Sequence, residues 1–285
     1  MFVSEAMSFS PHHSGNAGGS VCCHARFVDP WDMRSSGMSI DEAPPALVRA
    51  YYESGVWSRR IGHVFTDTRS ALQNIGLARG GFLTNAGALL FCPADRPVIT
   101  CRAYDAPSCS VLVDSSECCG PLGASIQAAL RFLGAHDVFS FDASPYDAAW
   151  ARALCDACSE LLLNAVMHRA YDIDAPIQIV AYPRAIHITN PGEIPWSVLA
   201  DLSCGSAEQA VSQPYGAIWP AFDRAASYRN SLLVQALYRF GIVRASGRGL
   251  LRALAACARC GLELSVDNAE GAAVVAIQAY PADRP

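Results

Sequence analysis

The order of periodic segments predicts an α+β fold, a mixed sheet with helices on one face preceded by a smaller α/β region. Three observations carry this. A long helical pattern from about Ala148 to Arg169 is followed by two β-type runs, Gln178–Val180 and Ile186–Thr189. Two further β-type runs, Leu262–Val266 and Ala272–Ala279, lie at the C-terminal end around a turn at Asn268–Gly271. Upstream, helical stretches at Leu47–Tyr52 and Thr68–Ile75 and β-type runs at Val98–Tyr104 and Ser110–Val113 read as a smaller α/β region.

Taken in order, residues 1–37 carry Ser, Gly and His with few periodic apolar positions and read as a disordered tail. Residues 38–142 read as a small α/β connecting region, and 143–285 as the main domain. Ser39 and Glu42 fit a capping box, and Leu47, Val48, Tyr51 and Tyr52 continue a helical stretch. Pro44 and Pro45 fall near its first turn, where a missing N–H is harmless. A short helix over Thr68–Ile75 stops at Gly76. Gly80-Gly81 makes a turn before the apolar run Phe82–Phe91. Val98–Tyr104 and Ser110–Val113 read as strands, and Pro121–Leu133 as a helix with Leu122, Ile126, Leu130 and Leu133 at helical spacing. The stretch between Trp196 and Ser227 is long and mixed, a length that in a compact domain marks a functional or mobile loop. Ser231–Phe240 is a helix closed by Gly241, and Leu250–Cys260 is a helix closed by Gly261.

Composition excludes several function classes. The chain of 285 residues is 52% hydrophobic, so wholesale disorder is excluded. Its net charge of −5 gives no global footprint for nucleic acid. No apolar run reaches membrane-spanning length, and no basic segment precedes an apolar core at the N-terminus, so a cytoplasmic location is expected. There is no lysine, which removes both a Schiff-base lysine and a Walker A loop. Twelve cysteines include two CxxC pairs, Cys155/Cys158 and Cys257/Cys260. Both pairs fall in helical patterns without the tight turns of zinc knuckles, so they read as buried helix residues.

The chemistry concentrates between Glu160 and Pro195. At 100° per residue Glu160, Asn164, His168 and Tyr171 share a stripe about 80° wide, beside an apolar stripe of Leu154, Cys158, Leu161, Leu162 and Ala165. A carboxylate and an amide one turn apart would look into a shared space opposite Asn190-Pro191-Gly192 at a strand end. That pattern suits a nucleotide with its metal, although the two residues by themselves favour an ordinary polar helix edge. His168 and Arg169 either face phosphate or favour the dipole at the helix C-terminus. Arg229-Asn230 starts a helix or ties down a lid. Gly247-Arg248-Gly249 offers backbone N–H groups and a helix N-terminus to an anion, or is simply a turn.

Glu160-Leu-Leu-Leu-Asn164-Ala165-Val-Met-His168-Arg169-Ala170-Tyr171, then Ile188-Thr189-Asn190-Pro191-Gly192, Arg229-Asn230 and Gly247-Arg248-Gly249-Leu250 follow one another in a set order. With Leu83-Thr84-Asn85-Ala86-Gly87 upstream, they resemble the ATP-binding domain of bacterial RecG-like transcriptional regulators. That domain belongs to the GHKL, or Bergerat-fold, ATPase superfamily. The resemblance implies a Bergerat-type sheet binding ATP and Mg²⁺. It implies Asn164 as metal ligand and Glu160 as the catalytic, water-positioning carboxylate. Asn190 with Gly192 would take the base, and Gly247 with Gly249 the phosphates. His168, Arg169, Arg229, Asn230 and Arg248 complete the expected nucleotide contacts. The departures are Asn190 for the superfamily's aspartate, Ala170 for Asp, Ser231 for Pro and Arg244 for Glu, and they weaken hydrolysis more than binding. The family's AlbA-type nucleic-acid domain has no counterpart in the sequence. The expectation is therefore an ATP-binding switch with slow or absent hydrolysis. The alternatives are a nucleic-acid regulator with a patch at Arg59, Arg60, Arg79 and Arg96, or an interaction module with a protein partner or in a homodimer. Nucleic acid is not expected to bind tightly.

Overall fold

The computed structural model describes residues 29–106, 111–136, 148–195, 229–243 and 249–279, with side chains in the third segment from residue 152 on. It is an α+β fold built on two sheets. The smaller sheet holds β1 (Ser35–Ser39), β2 (Ala78–Arg79) and β3 (Phe82–Thr84), in the order β1-β3-β2 and antiparallel throughout. The helices α1 (Pro45–Trp57), α2 (Thr68–Asn74) and α3 (Asn85–Phe91) belong to the same part of the chain. The larger sheet has six strands in the order β5-β4-β6-β7-β9-β8. These are β4 (Ile99–Tyr104), β5 (Leu112–Cys118), β6 (Ile177–Tyr182), β7 (Ala185–Pro191), β8 (Leu262–Ala269) and β9 (Ala272–Ala279). The parallel pair β4–β6 makes it mixed; every other pair is antiparallel. Four further helices lie among the described residues: α4 (Leu122–Ala135), α5 (Ala148–His168), α6 (Ser231–Arg239) and α7 (Gly249–Arg259).

The alternation of β6 and β7 decides how the sheet is covered. Ile177, Ile179, Ala181, Ile186 and Ile188 are each at most 2% exposed, while Gln178, Val180 and Thr189 between them are only half-buried. Register aligns Ile179 with Ile188 and Ile186 with Ile277, so one face is a continuous apolar layer. The period of two makes this register hard to shift, since a one-residue slip would expose every isoleucine of the strand. Each buried isoleucine contributes roughly 1.5–3 kcal/mol of transfer free energy. Helix α5 answers with Cys158, Leu161, Leu162, Ala165 and Val166, all buried. The apolar stripe expected from the sequence is therefore the stripe that packs, with Leu154 half-buried at its margin. Pro191 closes β7 beyond the last β6 pair, where only β9 still runs alongside. Its missing N–H therefore costs no central ladder bond.

Three expectations need correction. The boundary near residue 142 divides the chain inside one sheet, because β4 and β5 precede it and pair with strands that follow it. The expected tail 1–37 overlaps folded structure: a 3₁₀ turn at Trp31–Met33 and then β1 occupy its end, while residues 1–28 lie outside the described residues. Asp32 explains why that turn is folded in. It is fully buried, and its carboxylate accepts the backbone N–H groups of Leu232 (2.7 Å) and Leu233 (3.1 Å). A remote carboxylate thus does for the start of α6 what an N-cap side chain usually does locally. Finally, the Ser39–Glu42 capping box is present, but it caps a 3₁₀ turn at Ile40–Glu42 rather than α1. The long 196–228 segment lies outside the described residues.

Candidate functional site

Two groups of side chains surround α5. The first lies along its middle, where α7 crosses it. Glu160 and Asn164 sit one turn apart on the facing stripe. A Cβ built on Gly249 would fall 2.9 Å from Glu160 Oε2 and 3.0–3.1 Å from the two terminal atoms of the Asn164 amide. A side chain at this position would press on the ends of Glu160 and Asn164, so glycine eases the close approach of the start of α7. Asn164 has no side-chain hydrogen bond to another described residue, so its amide is available. Glu160 is engaged: Arg252 Nε donates to Oε1 at 2.9 Å and Arg252 Nη2 to Oε2 at 2.8 Å. This is a bidentate guanidinium–carboxylate fork in a partly buried setting. Activation of a water by Glu160 would have to share or open that fork. Sequence reading missed Arg252, although it left a signal: it is a lone charge inside the apolar part of the helix that starts at Gly249.

The second group gathers where α5 ends. The helix stops at His168, so Tyr171 is not on the Glu160–Asn164 stripe as the sequence suggested. Instead its ring stacks on Trp31 at 4.6 Å with 14° between planes, and its hydroxyl donates to the Val166 carbonyl. The Arg169 guanidinium lies 4.7 Å from the centre of the same ring and donates to the Ala175 carbonyl at 2.7 Å. Burial pushes the pKa of Arg169 below its ordinary value, without threatening its charge at neutral pH. His168 keeps solvent contact, but desolvation by the surrounding protein and the nearby Arg229 cation depress it to about 4. The imidazole is therefore neutral at pH 7.

Asn230 is 1% exposed and donates to the carbonyls of Met167 (3.1 Å) and Arg169 (2.9 Å). It therefore caps the C-terminus of α5 from outside, and its side chain is committed to that task. The Ala170 N–H bonds to the Pro191 carbonyl at 2.9 Å, which joins the helix end to the end of β7. Gly192 follows with φ +96°, and Arg229 lies over it, donating to the Glu193 carbonyl at 3.0 Å. Asn190 is 6% exposed in the body of the sheet, and its Oδ1 has no hydrogen-bond partner. Asn268 ties the chain after Gly192 to the β8–β9 hairpin with two 2.8 Å bonds to Ile194.

These residues bound a cleft of about 430 Å³ whose walls include Trp31, Arg34, Arg169, Tyr171, Gly192 and Arg229. Trp31, Arg34 and Asp32 gave no sequence signal, because they sit in an aperiodic segment whose partners are mostly remote. Of the expected site residues, Glu160, Asn164 and Gly249 come together. Arg169, Gly192, Arg229 and Asn230 form the second group, and His168 lies between them on the stripe of Asn164. Gly247 and Arg248 lie outside the described residues.

Two of the four arginines of the expected basic patch have other contacts, while Arg59 and Arg79 are exposed. Arg60 donates to the carbonyls of Tyr238 and Val243, both at 2.7 Å, and stacks over the Tyr238 ring. Arg96 pairs with Asp174. The CxxC pairs fall on α5 and at the end of α7, where Cys158 and Cys257 are buried and Cys155 is exposed. Among the described residues no group of three or more His, Cys, Asp or Glu is arranged to hold a metal, and no helix is long and apolar enough to cross a membrane.

No family model matches the chain, and no curated protein matches it. A solved structure does: the DIP2311 protein from Corynebacterium diphtheriae, with a TM-score of 0.59 at 17% identity, covering 88% of this chain and 40% of that one. The chain thus spans about two fifths of the length of that neighbour. At this identity the likeness concerns the fold alone.

Proposed function

We propose that the chain is a cytosolic regulatory module that binds ATP with Mg²⁺ at the α5–α7 junction and hydrolyses it slowly or not at all. The observation that carries this reading is the approach of the Gly249 backbone to the Glu160–Asn164 pair. A glycine-bearing helix start and a Glu-x-x-x-Asn face meet there, as a phosphate loop and a metal-binding amide must. The Asn164 amide oxygen is a hard donor suited to Mg²⁺, which keeps several waters and the nucleotide phosphates as its other ligands. When bound, the metal would offset phosphate charge. Gly247 and Gly249 would bring backbone N–H groups to the phosphates. Asn190 supports a base subsite, since a buried Oδ1 without a donor fits an exocyclic amino group.

Weak hydrolysis follows from Arg252. Both Glu160 oxygens accept from its guanidinium, so the carboxylate is held for structure rather than for proton transfer. The same fork favours a second reading, in which this fold is only the scaffold of a transcriptional or protein-interaction module. Titration with ATP, with and without Mg²⁺, separates the two. Asn164→Ala is expected to lower Mg²⁺–ATP affinity at least about tenfold, roughly 1.4 kcal/mol, while leaving adenosine binding little changed. Glu160→Gln should bind nearly as wild type. Nucleotide affinity that is the same in wild type and Asn164→Ala would leave the scaffold reading standing.

A further inference from the structure

The cleft at the end of α5 gathers Arg169 and Arg229, expected among the nucleotide contacts, into a lining apart from the approach of Gly249 to Glu160 and Asn164. Arg34, Arg169 and Arg229 line it with one carboxylate, Asp172, so three cations face one anion in a chain of net charge −5. None of the three arginines forms an ion pair among the described residues. Their hydrogen bonds go to backbone carbonyls: Arg34 to Asp29 (2.8 Å), Arg169 to Ala175 (2.7 Å) and Arg229 to Glu193 (3.0 Å). A guanidinium carries five N–H donors, so each keeps several unused. Arg169 is 8% exposed and its Nε has no hydrogen-bond partner among the described residues. A buried guanidinium lacking a carboxylate is costly to hold, and the Tyr171 ring offsets only part of that cost. Gly192 makes room for the arrangement. A Cβ there would overlap Arg229 Nη1 and touch the Ala170 Cβ.

The place is separate from the Glu160–Asn164 pair. Arg169 follows the last helical residue of α5, and it lies off the stripe that Glu160 and Asn164 share. We propose that this cleft binds the phosphate group of a small phosphorylated ligand, at a site distinct from the nucleotide site on α5 and α7. Planar guanidinium forks match phosphate oxygens. A volume of about 430 Å³ suits a small molecule, and the stacked Trp31–Tyr171 pair supplies a flat apolar wall. A nucleic-acid backbone would need the positive charge to continue as a stripe. The lining supplies three arginines beside one carboxylate within a single cleft, which suits one phosphate group better than a run of them.

Pyrophosphate is the probe. Calorimetric titration of the full chain without Mg²⁺ would compare wild type with Arg34→Ala, Arg229→Ala and Asn164→Ala. Arg34 and Arg229 are exposed, so their loss should leave thermal unfolding near wild type, whereas Arg169 is too buried for a clean test. Each arginine variant is expected to bind pyrophosphate about 5–30-fold more weakly, with Arg34→Lys recovering part of the loss. Asn164→Ala should bind it as wild type. Three outcomes would overturn the proposal: no saturable binding at millimolar pyrophosphate, equal affinity in wild type and both arginine variants, or an equal loss in Asn164→Ala. A single-stranded oligonucleotide that binds more tightly than pyrophosphate and weakens with the same variants would overturn the small-ligand assignment in favour of nucleic acid.

Discussion

Replacing Asn230 by alanine tests whether the Arg229-Asn230 pair serves a ligand or the fold. The amide donates to two carbonyls at the end of α5, those of Met167 and Arg169, at 3.1 and 2.9 Å. Each net hydrogen bond contributes about 0.5–1.5 kcal/mol, and an acceptor left buried costs about 1–3 kcal/mol. Some water will enter the space left by the amide, so the expected loss is about 2–3 kcal/mol. For a chain of this size that lowers Tm by roughly 4–10 °C. Asn230→Asp should be at least as damaging, because a carboxylate would face two carbonyls with nothing to donate. Thermal and urea unfolding followed by circular dichroism would measure both. Variants that stay within about 0.5 kcal/mol of wild type, the range of an inert surface change, would refute the capping role. A normal Tm combined with lost nucleotide binding would return Asn230 to the nucleotide contacts that the resemblance implied.

Asp32→Ala should destabilise by about 1–3 kcal/mol in urea unfolding, since two N–H groups at the start of α6 lose a buried acceptor. Asp32→Asn keeps an acceptor oxygen and should lose less. Gly192→Ala should cost about 1–3 kcal/mol in the same assay, because its positive φ strains any L-residue and the new methyl displaces Arg229. Thiol labelling under native conditions should modify Cys155 well before Cys158 or Cys257. Burial pushes both of these thiols up to about 12, which leaves little thiolate at pH 7. Elemental analysis should find less than one zinc per chain. A stoichiometric zinc lost with stability in Cys155→Ser or Cys257→Ser would show a metal framework instead.

The β-type runs at Gln178–Val180 and Ile186–Thr189, shorter than the strands they belong to, and the apolar stripe of α5 were legible in the sequence because burial wrote them into local patterns. The spacing of Glu160 and Asn164, and the glycine before α7, were legible for the same reason. What escaped is held by remote partners. Ser35–Ser39 is a strand because β3 pairs with it, not because its residues favour one. Strand β5 runs on through Asp114-Ser115-Ser116-Glu117, poor strand formers, because β4 supplies the ladder.

The end of α5 shows how one motif can divide between two tasks. Helical periodicity would carry the stripe on to Tyr171, and nothing local forbids it. The helix stops where the Met167 carbonyl and that of Arg169 just beyond it accept from Asn230 and the Ala170 N–H goes to Pro191. These are partners that only the folded chain brings near, and they satisfy groups a helix end leaves open. Within His168-Arg169-Ala170-Tyr171, Asn190-Pro191-Gly192 and Arg229-Asn230, the Asn230 amide and these backbone groups are thus consumed in fastening helix to sheet. The Arg169 and Arg229 side chains are not: their bonds to single carbonyls leave most donors free, around a cleft that the fastening itself creates. A joint needs only the first set. The buried Arg169 guanidinium, kept without a carboxylate partner among the described residues, raises the electrostatic cost of the fold. A structural role alone leaves that cost without an explanation, whereas an anion in the cleft removes it.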